Sequence, residues 1–502
     1  MSSPTAVEFV QASPTTFDSA VLADRSGGDS LTGHSDQASL GAASPAVGVK
    51  AQAEKAFRSS PAADRGADGD EAYHILTTED VLEYAERTLP RWLPISSTTG
   101  ERVRPGELVS AEEVGDGNLN LVFRLLDAGG CSRAVLKQSL PYVRCVGESW
   151  PLTLDRNRLE ADTLIAHYAH APAVTEKVLF HSSAMGVMVL EDLSDMVIWR
   201  GELVKGRHHG HVLPQLSDYL ARVHFFTSDF AQDAEAKKHA VQRVTNVDMC
   251  RITEDLFFAD PYIVHERNNY EAAQEPFIES FLRQDAALKV RVAQLKHAFM
   301  NKAEAHVHGD IHSGSVFIDG TRVKAIDAEF GFYGPMGFDV GTVVGNLLMN
   351  YVALPALLAQ RGVESDEFPS SRAPTTLTAG EPASQAQLLQ SLDHFWAQYA
   401  ETFLALAGDA ALVRDVSFGF PGYAAAFLQE NVLPDSIGFA GTEMIRRTIG
   451  LAHVADLDGI KDDAARLAAK EQSLRLGAAL IKRARAFASF SDLVAFVQAG
   501  EY

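Results

Sequence analysis

The chain has 502 residues and a formal net charge of −22, with 66 acidic residues against 44 Lys and Arg, which disfavours nucleic acid and anionic membranes as partners. With 46% hydrophobic residues it can bury a large core. Its cysteines, Cys131, Cys145 and Cys250, are odd in number and scattered, so they imply reduced thiols in a cytoplasmic protein rather than a disulfide framework or a metal site.

Residues 1–71 are dominated by Ala, Ser, Thr, Gly and Asp without apolar periodicity, and read as a disordered extension. The extension has no apolar core of a signal peptide, and its aspartates disfavour a transit peptide. From Glu113 to Leu125 a glycine turn, Gly115-Asp-Gly-Asn-Leu-Asn120, separates two apolar runs. Absent side chains there would let backbone N–H groups approach a phosphate, although a plain hairpin turn explains the pattern equally well. Arg133 to Lys137 is an alternating strand ending in lysine, as expected of a lysine that meets nucleotide phosphates. Asp155 to His170 reads as a helix, with Glu160 placed to pair with Lys137. Gly186 to Ser194 is an apolar strand running into a polar turn, and it suits a linker whose backbone near Glu191, Asp192 and Leu193 reads an adenine edge.

Farther on, Leu216–Phe226, Val292–Ala305, Gln387–Leu406 and Asp462–Phe487 carry helix-period apolar stripes that belong to a core. His224 and His453 sit beside such stripes and are expected to be structural. Val340–Ala359 is about 20 uncharged residues, long enough to cross a bilayer. Its Gly341, Gly345, Asn346, Asn350 and Pro355, with Asp339 just before it, assign it instead to a buried core helix. Glu364–Gln385, with three prolines, reads as a surface insertion.

The chemistry concentrates in His308-Gly-Asp-Ile-His-Ser-Gly-Ser315 and Ala325-Ile-Asp-Ala-Glu329. Asp310 can accept a hydroxyl proton, and Asp327, about 17 positions later, can hold magnesium, which is the layout of a phosphotransferase catalytic loop. Between them Val316–Ile318 and Arg322–Ile326 form a hairpin around Asp319-Gly320, bringing both carboxylates to one cleft. No GxxxxGK[ST] string occurs, which excludes P-loop architectures. The expectation is an α+β, bilobal protein-kinase-like fold: a small β-rich lobe with one helix and a linker strand over 72–193, then a mostly helical lobe over 194–502 carrying the catalytic loop.

Several strings together resemble the S-methyl-5-thioribose kinase family, part of the wider group of aminoglycoside phosphotransferases and choline kinases. They are Gly115 to Phe123, Leu190 to Ser194, Arg251 to Leu256, His308 to Ser315, Asp327 to Phe330, Phe332 to Gly341 and Met444 to His453. The resemblance runs in order from about Ala72 to Val497. It implies ATP as co-substrate, Mg²⁺, methylthioribose as the small-molecule acceptor and a homodimer. Residue by residue, it makes Asp310 the base toward the sugar 1-hydroxyl and gives Mg²⁺ to Asp327 and Glu329. It also places Lys137 on the ATP phosphates with Glu160 steadying it, Asn118 and Asn120 in the nucleotide loop, and Arg446 with Arg447 at the sugar. Asp339 would anchor the catalytic loop. The wider group has Asn five residues after the catalytic Asp; Ser315 stands there, so Glu329 would take part of the metal-binding task.

Other readings stay open at this point. A related kinase could act on choline, homoserine or an aminoglycoside, although an arginine pair would repel a cationic acceptor. His308 and His312 could belong to a metal-dependent hydrolase. A nucleotide-binding pseudokinase is the remaining alternative, and the joint presence of Lys137, Asp310 and Asp327 argues against it.

Overall fold

The computed structural model describes residues 72–92, 107–114, 119–144, 147–360 and 380–502. The expected N-terminal extension, Asn118, Cys145 and residues 364–379 of the expected insertion lie outside the described residues.

Five antiparallel strands build one sheet, in the spatial order Leu108–Glu113, Asn120–Asp127, Ser132–Ser139, Val187–Glu191, Val178–Ser182. Strand alternation divides its faces. Leu125, Ala134, Leu136 and Val189 point to one side and are buried against Val81, Tyr84 and Ala85 of the Thr78–Trp92 helix. That helix is one more than the sequence places in this lobe by its motifs; its apolar residues Val81, Tyr84 and Ala85 follow the helical period, in a segment just outside them. Lys137 faces the other side, opposite Val122 on one neighbour strand and Met188 on the other.

The Asp155–His170 helix crosses that second face. Arg156, Glu160, Thr163 and His167 fall on one stripe at helical spacing and are all buried. Such a polar stripe is tolerable only where every group finds a partner. Thr163 Oγ1 lies 3.0 Å from His306 Nε2, and His167 lies 2.8 Å from the Tyr219 hydroxyl and 2.9 Å from the His306 carbonyl. The helix is therefore stitched to the second lobe by hydrogen bonds.

In that lobe Ala305–Val307 pairs with Phe332–Gly334, and Val316–Ile318 pairs with Val323–Ala325 as expected. Asp319 closes the hairpin by accepting the N–H groups of Thr321 and Arg322, each at 2.7 Å. The helix expected over Val292–Ala305 spans Ala286–Asn301 instead, capped by Asp285, whose side chain accepts the Leu288 N–H at 2.8 Å. Ala305 already belongs to the strand entering the catalytic loop, and apolar periodicity does not mark that switch. Of the expected insertion, Glu381–Pro382 pairs with Arg207–His208 and Ser384 caps the Gln385–Ala407 helix, so these last residues belong to the framework.

Three long helices form the centre of the lobe. Met336–Ala359 is buried from Met336 to Leu354 and packs on Leu433–Ile449, every residue of which is buried. It is the one helix among the described residues long and apolar enough to cross a membrane, and 78% of its apolar window is buried inside the protein. Glycines set the close approach. A Cβ at Gly341 would lie 2.7 Å from the Ser436 carbonyl oxygen, and one at Gly345 would lie 2.7 Å from that of Ala440. Gly441 meets Gly477 of the Asp463–Arg483 helix in the same way. The expected outcome for Gly341→Ala is a loss of about 1–3 kcal/mol from overpacking, read as a lower urea midpoint. An unchanged midpoint would contradict this packing.

Candidate active site

A single structural acid holds the loop that carries Asp310. Asp339, in the first turn of the Met336–Ala359 helix, accepts the His308 N–H at 2.7 Å and the Gly309 N–H at 2.9 Å. Gly309 has φ +84°, and a Cβ there would lie 2.2 Å from the Phe330 carbonyl oxygen, so the loop passes where only glycine fits. Behind Asp339, His224 Nε2 stands at 3.4 Å and its Nδ1 lies 2.9 Å from the Tyr399 hydroxyl, which makes His224 structural as expected. His453 is structural as well, bonded to Asp458 at 2.8 Å.

One half of the cleft is acidic. Glu160, Asp327 and Glu329 present carboxylate oxygens that lie within 4.8 Å of one another. Lys137 Nζ donates to Glu160 at 2.7 Å and also to Asp327. Arg156, fully buried, donates to Glu329 at 3.1 Å, to Asn120 Oδ1, and to the Leu119 and Leu140 carbonyls at 3.1 and 2.9 Å. Asn120 Nδ2 completes the set by donating to Glu329 at 2.9 Å. Asn120 is thus 3% exposed and tied to the carboxylates rather than standing free in a loop. Asn246 fixes the chain beyond, donating to the Glu329 and Gly331 carbonyls at 2.8 and 3.1 Å.

Electrostatics follow from this crowding. Burial pushes the Glu160 carboxyl up to about 7 against the pull of Lys137. Burial and the adjacent Asp327 raise Glu329 as well. Burial alone would push the Lys137 ammonium down, yet Asp327, Glu160 and Glu329 together hold it well above the ordinary lysine value. Asp327 differs from its neighbours because 48% of its side chain is exposed to the cleft. Desolvation raises it, and Lys137 more than reverses that. Its φ of +66° is the one positive value outside glycine among the described residues, a conformation costing about 1–3 kcal/mol that clusters at functional sites.

The other half sets two arginines against two carboxylates. Arg446 and Arg447 both donate to Asp310 Oδ1, at 2.9 and 3.4 Å. Neighbours on a helix point about 100° apart, and Glu443 one turn back reconciles the two. It accepts from Arg446 Nε at 2.5 Å and from Arg447 Nε at 3.1 Å, so both guanidiniums are turned toward the loop. Arg446 also lies 3.9 Å over the Phe257 ring. Glu443 is held in turn by Asn346 Nδ2 at 2.8 Å, and Asn346 Oδ1 accepts from Arg200 at 2.7 Å.

His312 Nε2 stands 3.5 Å from Asp310 Oδ2. Burial drives this imidazole down to about 4, so the ring is uncharged at neutral pH. Burial by itself would raise Asp310, but His312, Arg446 and Arg447 beside it hold it well below the usual carboxylate range. Ser315 Oγ donates to the Asp310 carbonyl at 3.1 Å and closes the loop. His308 Nε2 lies 3.0 Å from the Ile326 carbonyl. Both histidines therefore support the loop, and the converging ligand group is carboxylate rather than the His-x-Asp-x-His cluster.

The linker residues lie at the end of the Val187–Glu191 strand. Glu191 accepts from Lys324 Nζ and from the Lys177 N–H, each at 2.8 Å; Asp192 accepts from Ser194 Oγ at 2.7 Å; Leu193 is buried. Arg156, Arg200, Glu443 and Asn246 are site residues that the motifs do not single out. The stripe at 156, 160, 163 and 167 and the i−3, i−4 position of Glu443 before the arginines are the sequence signals for Arg156 and Glu443.

Residues 110–374 match the Phosphotransferase enzyme family. Methylthioribose kinase of Yersinia enterocolitica is 51% identical over 426 residues, covering 85% of this chain and 98% of that protein. Methylthioribose kinase of Pectobacterium carotovorum is 50% identical over the same shares of both. Among solved structures, choline kinase from Cryptosporidium parvum Iowa II aligns at 10% identity with a TM-score of 0.42 over 81% of this chain and 96% of that one, a likeness too loose to add weight. On this identity and coverage, with the catalytic loop, lysine and arginine pair in place, the chain belongs to the methylthioribose kinase family of phosphotransferases.

Proposed function

We propose that the protein transfers the γ-phosphoryl group of ATP to the 1-hydroxyl of S-methyl-5-thio-D-ribose, yielding the 1-phosphate and ADP in methionine salvage in the cytoplasm. The observation that carries the acceptor is the 51% identity, across nearly the whole length of the relative, to a protein named methylthioribose kinase. The arginine pair supports it, since a cationic aminoglycoside or choline would be repelled there and a neutral thio-sugar would not.

Phosphoryl transfer asks the protein mainly for positioning and charge compensation. Asp310, kept ionised by Arg446 and Arg447, is a weak base; it orients the hydroxyl for in-line attack and accepts its proton as the bond to phosphorus forms. The arginines then face the charge of the transferring group. Lys137 would meet the nucleotide phosphates, with Glu160 fixing its ammonium. Adenine would lie against the backbone of Glu191, Asp192 and Leu193, and Asn118 with Asn120 would lie by the nucleotide. The three convergent carboxylates are a hard oxygen donor set that suits a divalent cation such as Mg²⁺. Asp327 and Glu329 would hold it, where the ion neutralises phosphate charge.

Asp310→Ala is expected to keep nucleotide affinity and lose about 10² to 10⁴ in turnover; near-normal turnover would refute the assignment. ATP consumption against methylthioribose, choline, homoserine and an aminoglycoside should show methylthioribose as the acceptor used, and turnover of the aminoglycoside alone would overturn the choice. Replacing Arg447 by Met removes a positive charge from Asp310, so its carboxyl rises and the acid limb of the kcat/KM profile moves to higher pH. An acid limb that stays in place would show that Asp310 does not control it.

A further inference from the structure

Glu176 has no part in the mechanism above, yet it is held at the seam of the two lobes. Its N–H donates to the Ala325 carbonyl at 3.1 Å, and Lys324 Nζ donates to the carbonyl of the preceding Thr175 at 3.0 Å. The following Lys177 exchanges bonds with Glu191: the Lys177 N–H donates to Glu191 Oε1 at 2.8 Å, and the Glu191 N–H donates to the Lys177 carbonyl at 3.0 Å. Position 176 is therefore fixed from the catalytic lobe and from the linker at once.

The side chain contrasts with this well-tied backbone. Glu176 is 6% exposed, and its carboxyl makes no hydrogen bond among the described residues. The bond to Ala325, two residues before Asp327, and the bonds of the adjoining Lys177 to Glu191 of the linker place it beside the cleft, where Glu191, Glu160, Lys137 and Asp327 act on its charge. Burial, with Glu191 and Glu160, pushes its carboxyl well above the ordinary glutamate range against the pull of Lys137, favouring the neutral acid. A buried polar group without a partner is costly unless a ligand supplies one.

We propose that Glu176 reads the base of the bound nucleotide, donating its acid proton to adenine N7 and accepting from the 6-amino group. The inference rests on the cleft being the nucleotide site. A neutral carboxyl presents a donor and an acceptor side by side, as the glutamine amide does in its two-bond pairing with adenine. Guanine offers two acceptors along the same edge, so the acid's carbonyl oxygen would be left unpaired and guanine nucleotides disfavoured. The linker backbone at Glu191 to Leu193 remains for the N1 side.

Calorimetric titration of the full-length protein with ADP, GDP and 7-deaza-ADP, in the presence of Mg²⁺, tests this. The wild type should bind ADP about 5- to 100-fold more tightly than 7-deaza-ADP or GDP. Glu176→Ala should weaken ADP by a similar factor and erase the difference from 7-deaza-ADP, while Glu176→Gln restores both. Equal affinity of the wild type for ADP and 7-deaza-ADP would overturn the proposal, as would undiminished discrimination in Glu176→Ala. If the alanine variant fails to fold, the wild-type analogue series and the glutamine variant still decide. Because binding is read without an acceptor, failure to phosphorylate methylthioribose would refute the acceptor alone, whereas absence of all nucleotide binding would overturn both readings.

Discussion

Repulsion among three carboxylates is the constraint around which the cleft is organised. Glu160, Asp327 and Glu329 come from a helix of the small lobe and a loop of the large one, yet their oxygens lie within 4.8 Å of one another. Two full charges at about 4 Å repel by about 4 kcal/mol at an effective dielectric near 20, so the group requires counter-cations. Lys137 enters from the sheet and Arg156 from the helix, and each bonds across the seam to the catalytic lobe. Charge compensation and lobe assembly are thus the same set of contacts. Removing either cation would leave buried like charges facing each other.

At the other end of the cleft the charges are matched. Asp310 and Glu443 both pair with the Arg446 and Arg447 guanidiniums, so two carboxylates hold two cations in place. This end depends on close helix packing. The glycines of Met336–Ala359 let it settle on Leu433–Ile449, and the first of these helices also carries Asp339, which holds the catalytic loop. The two helices that place Asp310 and its arginines are therefore in direct contact, and a shift in one is transmitted to both.

Much of the chemistry is legible in the amino-acid order because it resides in short strings with strong local meaning. The hairpin between Asp310 and Asp327 is specified by Asp319-Gly320 between apolar strands, and the helix Asp155–His170 matches its expected span residue for residue. Lys137 and Glu160 pair by their place in the order of elements, and they meet at 2.7 Å. The first helix, Thr78–Trp92, is less legible, since it precedes every motif. The end of Ala286–Asn301 is hidden because neither Gly nor Pro separates it from the strand Ala305–Val307. A buried arginine such as Arg156 looks in sequence like any solvated one, and only its four acceptors reveal its task.

By itself the sequence determined the order of elements, the acids and lysine that line the candidate site, and the family, because these depend on residue type and local spacing. Tertiary structure alone decided which groups neutralise which. It brought Arg446 and Arg447 onto Asp310 from about 136 positions away, put Arg156 on Glu329 across the lobes, and left the buried Glu176 carboxyl without a hydrogen bond among the described residues, at the seam of the lobes. Coulomb forces and burial depend on distance through space, and chain separation carries no record of that until the helices are packed.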